Sequence, residues 1–169
     1  MKVFDRTLLA IMKFETLSIF DPISLEFLSK INYKRLNLQY EVKGDLIYSI
    51  DSESFFQIFR LISEEVGIIK IVEFELPKPF KSFSLSPNGD KIFFSNPQIA
   101  QLVCLNITAL DFTKDHSENT QNRRQLRLIH SRVYTLSKVI NPQNFMKCDK
   151  NGTLWIESDD SLYFVKTDA

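Results

Sequence analysis

His116 and His130 are the first residues to weigh for chemistry, because imidazole is the side chain that changes charge near neutral pH. Neither has a Cys or carboxylate partner at metal-ligand spacing, and nothing in the sequence brings them together, so both read as ordinary surface histidines. Three carboxylate pairs could do acid–base work if burial separated their pKa values: Glu64-Glu65, Glu73 with Glu75 on one strand face, and Asp159-Asp160. Solvated faces and turns are the reading adopted for them. Asp149-Lys150-Asn151-Gly152 opens like a calcium loop, but the twelfth position is Asp160 rather than Glu, and a hairpin turn explains it better. There is no Gly-x-Ser-x-Gly elbow, and four glycines in 169 residues leave no phosphate-cradling loop. The expectation is a non-enzymatic protein with no catalytic, cofactor-binding or metal residues.

Binding is the better prospect. Arg123, Arg124, Arg127 and Arg132 form the densest basic cluster, and Tyr33, Tyr40 and Tyr134 are candidate contact aromatics. Arg and Tyr are enriched among interface hot spots, although any single one of these residues reads more readily as a plain surface or core residue. The expected interaction surface is Arg123, Arg124, Arg127 and Tyr134, with other proteins as partners. Nucleic acid is disfavoured, because 21 basic residues balance 21 acidic ones and leave no excess to neutralise phosphates. No apolar run reaches membrane-spanning length, so no membrane partner is expected. Cys104 and Cys148 lie in apolar, strand-like surroundings and read as buried, reduced thiols. No secretory signal is read in the first residues, and an intracellular, cytoplasmic location follows as an expectation.

The elements that must carry these residues are strands. A turn-forming Gly followed by a short apolar strand recurs at Gly44-Asp45-Leu46-Ile47-Tyr48, Gly89-Asp90-Lys91-Ile92-Phe93 and Gly152-Thr153-Leu154-Trp155-Ile156. The first two glycines are 45 residues apart and the next two 63 apart, with a polar insertion between. A repeat of about 40–45 residues built from short strands marks a propeller-type array. The 15 Phe fit half-buried strands, though codon usage would explain them equally. Strands are expected at residues 8–12, 16–20, 26–31, 37–42, 46–50, 55–62, 68–76, 80–86, 91–95, 101–107, 126–129, 144–148, 154–157 and 162–166. Phe55 to Glu65 also mimics a helix. Residues 134–140 are ambiguous between strand and loop, and 111–125 read as a long polar surface loop. Pro77-Lys78-Pro79 is the clearest punctuation.

The strand order resembles WD40-type β-propeller blades. Leu8-Leu9-Ala10-Ile11, Thr16-Leu17-Ser18-Ile19-Phe20-Asp21 and Glu26-Phe27-Leu28 are similar to the middle and outer strands of a blade. Phe20-Asp21 stands where the family has Trp-Asp, and Ser84 to Phe94 resembles an inner hairpin. There is no Gly-His dipeptide, and Phe59-Arg60, Asn106-Ile107 and Val165-Lys166 replace the later Trp-Asp pairs. The family's Asp-His-Ser/Thr-Trp network is therefore carried onto no residue.

The resemblance implies an all-β fold of antiparallel four-stranded blades, a partial or small β-propeller, in one array with approximate blades 1–34, 35–76, 77–132 and 133–169. It implies a protein–protein interaction scaffold within a larger assembly. The alternatives are a propeller module gating or sorting substrate for a hydrolase whose catalytic residues lie elsewhere, and a ligand-binding propeller with a metal in its channel. Single blades cannot bury both faces alone. The array is therefore expected to close on itself, to be part of a longer protein, or to be completed by self-association. Met1 to Phe4 is one candidate for the missing last strand.

Overall fold

The computed structural model describes residues 2–3, 6–13, 15–62, 67–76, 82–96, 101–106, 132–136, 146–158 and 160–167. These residues form sixteen β-strands, every pairing between them antiparallel, and no helix is found among them. The chain divides into two compact units, Met1–Glu75 and Leu76–Ala169. The division falls beside Pro77-Lys78-Pro79, which lies outside the described residues.

In the first unit, β1 (Lys2–Val3) pairs with β2 (Arg6–Thr7) as a short hairpin. That pairing is local, where Met1 to Phe4 was considered for the last blade. A three-stranded sheet follows, β3 (Leu9–Lys13), β4 (Thr16–Phe20) and β5 (Phe27–Asn32). Next comes a four-stranded sheet, β6 (Asn37–Lys43), β7 (Leu46–Asp51), β8 (Phe55–Ile62) and β9 (Gly67–Glu75). Alternation decides which face of β4 is buried. Leu17 and Ile19 are sealed from solvent while Thr16, Ser18 and Phe20 are half-buried. With Ile31, they pack against Ile47, Phe59 and Leu61 of the second sheet in one core. Burying each such aliphatic side chain stabilises by about 1.5–3 kcal/mol.

The helix-like spacing after Phe55 resolves as strand β8, because β7 and β9 pair with it on both sides. The β8–β9 register shifts between Ile58 and Phe59, leaving Ile71 as the extra residue, itself buried.

In the second unit, β10 (Phe83–Leu85), β11 (Lys91–Asn96), β12 (Gln101–Asn106) and β13 (Arg132–Thr135) form one sheet. A three-stranded sheet follows, β14 (Met146–Cys148), β15 (Thr153–Ser158) and β16 (Ser161–Lys166). The expected closing strand at 126–129 and the polar loop at 111–125 lie outside the described residues. The fourth strand of this sheet that is described is β13, whose pairing with β12 carries the sheet past the approximate boundary at 132.

The repeated glycines do what the spacing predicted. Gly44, Gly89 and Gly152 have φ of +58°, +74° and +78°, the left-handed region that side chains with a Cβ disfavour. In the 86–91 hairpin Gly89 N–H donates to the Ser86 carbonyl at 2.9 Å, and Lys91 N–H donates to Ser86 Oγ at 3.0 Å. The 149–153 hairpin repeats the first bond, from Gly152 N–H to the Asp149 carbonyl at 3.1 Å.

Ser84 ties the two sheets of this unit together. It is fully buried on β10, and its Oγ accepts the Cys148 N–H of β14 at 2.8 Å. Replacing Ser84 with Ala leaves that buried N–H without its acceptor. The expected result is a loss of about 1–3 kcal/mol in chemical denaturation. A loss below a few tenths would show that Cys148 finds another acceptor.

Candidate interaction site

Tyr134, the one expected site residue within the described region, sits half-buried on β13. The Arg132 guanidinium lies over its ring, 5.2 Å from the centroid. Among the described residues β13 pairs with β12 alone, and it exposes Arg132, Val133 and Thr135. Arg123, Arg124 and Arg127 lie outside the described residues, as do His116 and His130. The structure therefore brings Tyr134 to the last strand described in this sheet, beside an arginine that the sequence had already grouped with the other three.

Of the other two candidate aromatics, Tyr33 belongs to the interior and Tyr40 is partly buried, so both are packing residues, the plainer of the two readings. Tyr33 is buried edge-on to Phe59, with ring centroids 5.6 Å apart. Tyr40 packs against the same core and donates its hydroxyl to the Ala10 carbonyl at 3.4 Å. Tyrosine type alone cannot separate these fates, because its apolar ring suits cores and its hydroxyl tolerates edges.

A second polar centre was not anticipated. Asp51 ends β7 almost fully buried and organises the turn into β8. Its Oδ1 accepts the Glu53 and Phe55 backbone N–H groups at 2.9 and 3.0 Å. Its Oδ2 accepts Arg35 Nη1 and Gln57 Nε2, both at 3.4 Å. Arg35 also pairs with Glu53 at 2.8 Å and stacks on Phe55, 4.0 Å from the ring centroid. An Asp, two turn residues and an aromatic are the visible signal, but Arg35 joins from 16 residues upstream.

Asp149 builds a similar turn in the last sheet. Its Oδ1 accepts Asn151 and Thr153 N–H at 2.8 and 2.9 Å, and Trp155 Nε1 donates to Oδ2 at 3.0 Å. The indole bond and then the Thr153 N–H hold this carboxyl below the usual carboxylate range. Its oxygens are thus occupied as the hairpin reading expected. Trp155 in turn packs on Phe164, with centroids 5.7 Å apart.

Of the carboxylate pairs, Glu73 is joined to Lys70 as a surface ion pair and Glu75 is exposed. Glu64, Glu65 and Asp159 lie outside the described residues. No cluster of three or more His, Cys, Asp or Glu able to hold a metal occurs among the described residues. Cys104 and Cys148 are buried and unbridged. No helix among the described residues is long and apolar enough to cross a membrane.

Burial, with the nearby Asp45 charge adding to it, pushes the Tyr48 hydroxyl up to about 12. A raised pKa means that the folded state holds the phenolic proton after the unfolded chain, at about 10, has released it. Stability from this group is full below pH 10 and falls as pH rises from 10 towards 12. Thermal melts across that window should show the decline, and Tyr48→Phe should flatten it.

The blades define the class. This is an all-β chain of antiparallel sheets, chiefly of three or four strands, with a β-propeller type of fold. No family model matches the chain, and no curated protein is similar to it in sequence. Solved structures are similar in fold. One is the β-propeller domain of Cps50 (Swd1) from Myceliophteria thermophila, with a TM-score of 0.68 at 9% identity, covering 99% of this chain and 52% of that one. Another is the dihydro-heme d1 dehydrogenase NirN in complex with DHE, with a TM-score of 0.55 at 11% identity, covering 95% of this chain and 41% of that one. The chain spans about half the length of these structures or less.

Proposed function

We propose that this chain is a non-enzymatic protein–protein interaction scaffold of the β-propeller type, a component of a larger assembly. The observation that carries the reading is apolar surface on strands. Val133 is 50% exposed on β13, which is the edge strand among the described residues, beside Arg132 and Tyr134. Edge strands recruit partner strands unless they are protected, and an Arg–Tyr pair supplies hot-spot chemistry. Arg123, Arg124 and Arg127 would extend the same basic and aromatic surface, which suits an acidic protein partner. Buried, unbridged Cys104 and Cys148 support an intracellular, cytoplasmic location.

The test compares partner retention by the wild-type chain and by Arg132→Glu/Tyr134→Ala. A partner held by the first and lost by the second, with both folded by circular dichroism, is the expected result. Equal retention by both would remove this surface. Turnover of esters, lactones or peptides by a sample with no stable partner would replace the scaffold reading with the hydrolase-associated one.

A further inference from the structure

Two hairpin turns carry the same reactive dipeptide, Asn88-Gly89 and Asn151-Gly152, and no other Asn in the chain is followed by Gly. An Asn before Gly can cyclise on its own backbone, because glycine has no Cβ to block the approach of its nitrogen to the Asn side-chain amide. Both Asn residues are exposed, and both glycines hold positive φ. In each turn the glycine N–H, whose nitrogen is the nucleophile, donates to a carbonyl across the turn, at 2.9 Å for Gly89 and 3.1 Å for Gly152. By sequence, exposure and turn geometry the two are alike. Their surroundings differ. The Asn151 N–H donates to Asp149 Oδ1 at 2.8 Å, and the same oxygen takes the Thr153 N–H at 2.9 Å. The Gly152 carbonyl accepts the Thr167 N–H at 3.1 Å and the Thr167 hydroxyl at 2.6 Å, from just past β16. Gly152 is buried beneath these contacts. On Asn88-Gly89 the glycine N–H bond is the hydrogen bond found among the described residues, and Gly89 is half-buried. The neighbouring bonds, from Lys91 N–H to Ser86 Oγ and from Ser86 Oγ to Asp90 Oδ1, close the hairpin without holding Asn88.

We propose that Asn88 is a site of spontaneous covalent modification, converting to aspartate and isoaspartate, and that the fold holds Asn151 against the same reaction. Gly89 N gives its proton to solvent and attacks Asn88 Cγ. The new N–Cγ bond forms as the Cγ–Nδ2 bond breaks, and ammonia leaves with a proton from solvent. Water then opens the cyclic imide at either carbonyl, giving aspartate or isoaspartate at position 88. Closing the ring swings the peptide plane of the turn, so the bonds that fix that plane and its neighbours must open first. Each net hydrogen bond that must open slows the reaction by about fivefold. Asn88-Gly89 has the glycine bond to release, whereas Asn151-Gly152 has the Asp149 and Thr167 contacts as well. The product alters the hairpin. It places a new carboxylate close in sequence to Asp90, and isoaspartate adds an atom to the main chain between β10 and β11. Strand β10 carries Ser84, which accepts the Cys148 N–H, so the change falls on a strand that joins two sheets. The site is separate from the interaction surface on β13 and does not rest on the scaffold reading.

The experiment ages the full 169-residue chain in mildly alkaline buffer and follows both Asn residues by peptide mapping with mass spectrometry. Deamidation is read as the mass gained when the amide becomes a carboxyl, and chromatography separates the aspartate and isoaspartate peptides. A parallel sample in denaturant gives each dipeptide its rate without the fold, so the ratio of the two rates at each position reports protection by the structure alone. Asn88 is expected to convert in the folded chain, and Asn151 to be protected about fivefold or more beyond Asn88. Asn88→Gln, whose longer side chain closes its ring far more slowly, should remove the first acidic species on ion exchange. Asp149→Ala should bring Asn151 towards the rate of Asn88. Thr167→Ala is the milder variant, losing only the hydroxyl bond to Gly152, and it decides the point if Asp149→Ala does not fold by circular dichroism. It should speed Asn151 and leave Asn88 unchanged. Equal protection at the two sites overturns the proposal, as does faster conversion at Asn151. An Asn88 that stays intact in the folded chain while the denatured chain converts also overturns it, and so does an Asn151 that stays as slow in the folded variants.

Discussion

Asp51→Ala is expected to lower the unfolding free energy by about 3–5 kcal/mol, read from denaturant titration followed by far-UV circular dichroism. The size follows from what the carboxylate holds. Two backbone N–H groups, from Glu53 and Phe55, donate to one buried oxygen, and each charge-assisted bond contributes about 1.5–3 kcal/mol. Gln57 would lose its acceptor in a buried position. Ser54, within the same turn, has φ of +68°, a conformation that a non-glycine residue keeps only when its surroundings impose it. Arg35 lessens the loss, since its side chain is 26% exposed and still pairs with Glu53. Asp51→Asn separates the terms, because it keeps an oxygen for the turn and gives up the charge. It should cost less than half as much as Ala. Equal costs would place the stabilisation in the Arg35 ion pair, and a loss below about 1 kcal/mol for Ala would show that the turn forms without its carboxylate.

Much of the strand order was legible because two signals agreed. The positive-φ glycines mark hairpins, and the residues after them alternate or run apolar as sheet residues must. Strands β6 to β9 fell within a residue of their expected limits for that reason. The helix-like run after Phe55 was separable only by its neighbours, since a strand buried on both faces has no polar period to distinguish it from a helix.

Side-chain fate was less legible. Leu162 and Phe164 look like core residues by type, and only register shows that they share a bare face. Tyr33 and Tyr40 suit a surface or a core by type, and only packing shows Tyr33 buried and Tyr40 partly buried against the same core. The Asp51 centre was hidden because Ser52-Glu53-Ser54 reads as a generic polar turn while Arg35 lies in another part of the sequence. Fold and function also part company here. A propeller domain and a dehydrogenase both share this chain's backbone arrangement, so the fold by itself selects neither binding nor catalysis. The choice rests on the exposed edge and its residues.

Phe59→Ala should destabilise by about 3–5 kcal/mol, and Arg60→Ala by less than about 1 kcal/mol, in the same denaturation assay. These neighbours stand where the sequence resemblance would put the Trp-Asp pair of a WD40-type blade. Phe59 is 6% exposed, edge-on to Tyr33 in the core between the two sheets of the first unit. Truncating it removes both its buried area and the perpendicular ring contact, and the cavity would open against Ile31 and Ile47. Arg60 pairs with Asp45 at 3.3 Å, with both side chains well exposed, 40% and 37%, so solvent screens most of that attraction. Ile23→Ala, at a residue 93% exposed, provides the baseline and should stay within about 0.5 kcal/mol of wild type. The aromatic half of the pair is thus expected to hold one sheet onto the next, with the charged half nearly dispensable. This follows from the physics of sheet stacking, which needs a large apolar side chain at that place but no particular charge beside it. If Arg60→Ala instead matched Phe59→Ala, the Asp45–Arg60 pair would be holding the β7–β8 register, and the repeat would depend on its polar contacts after all.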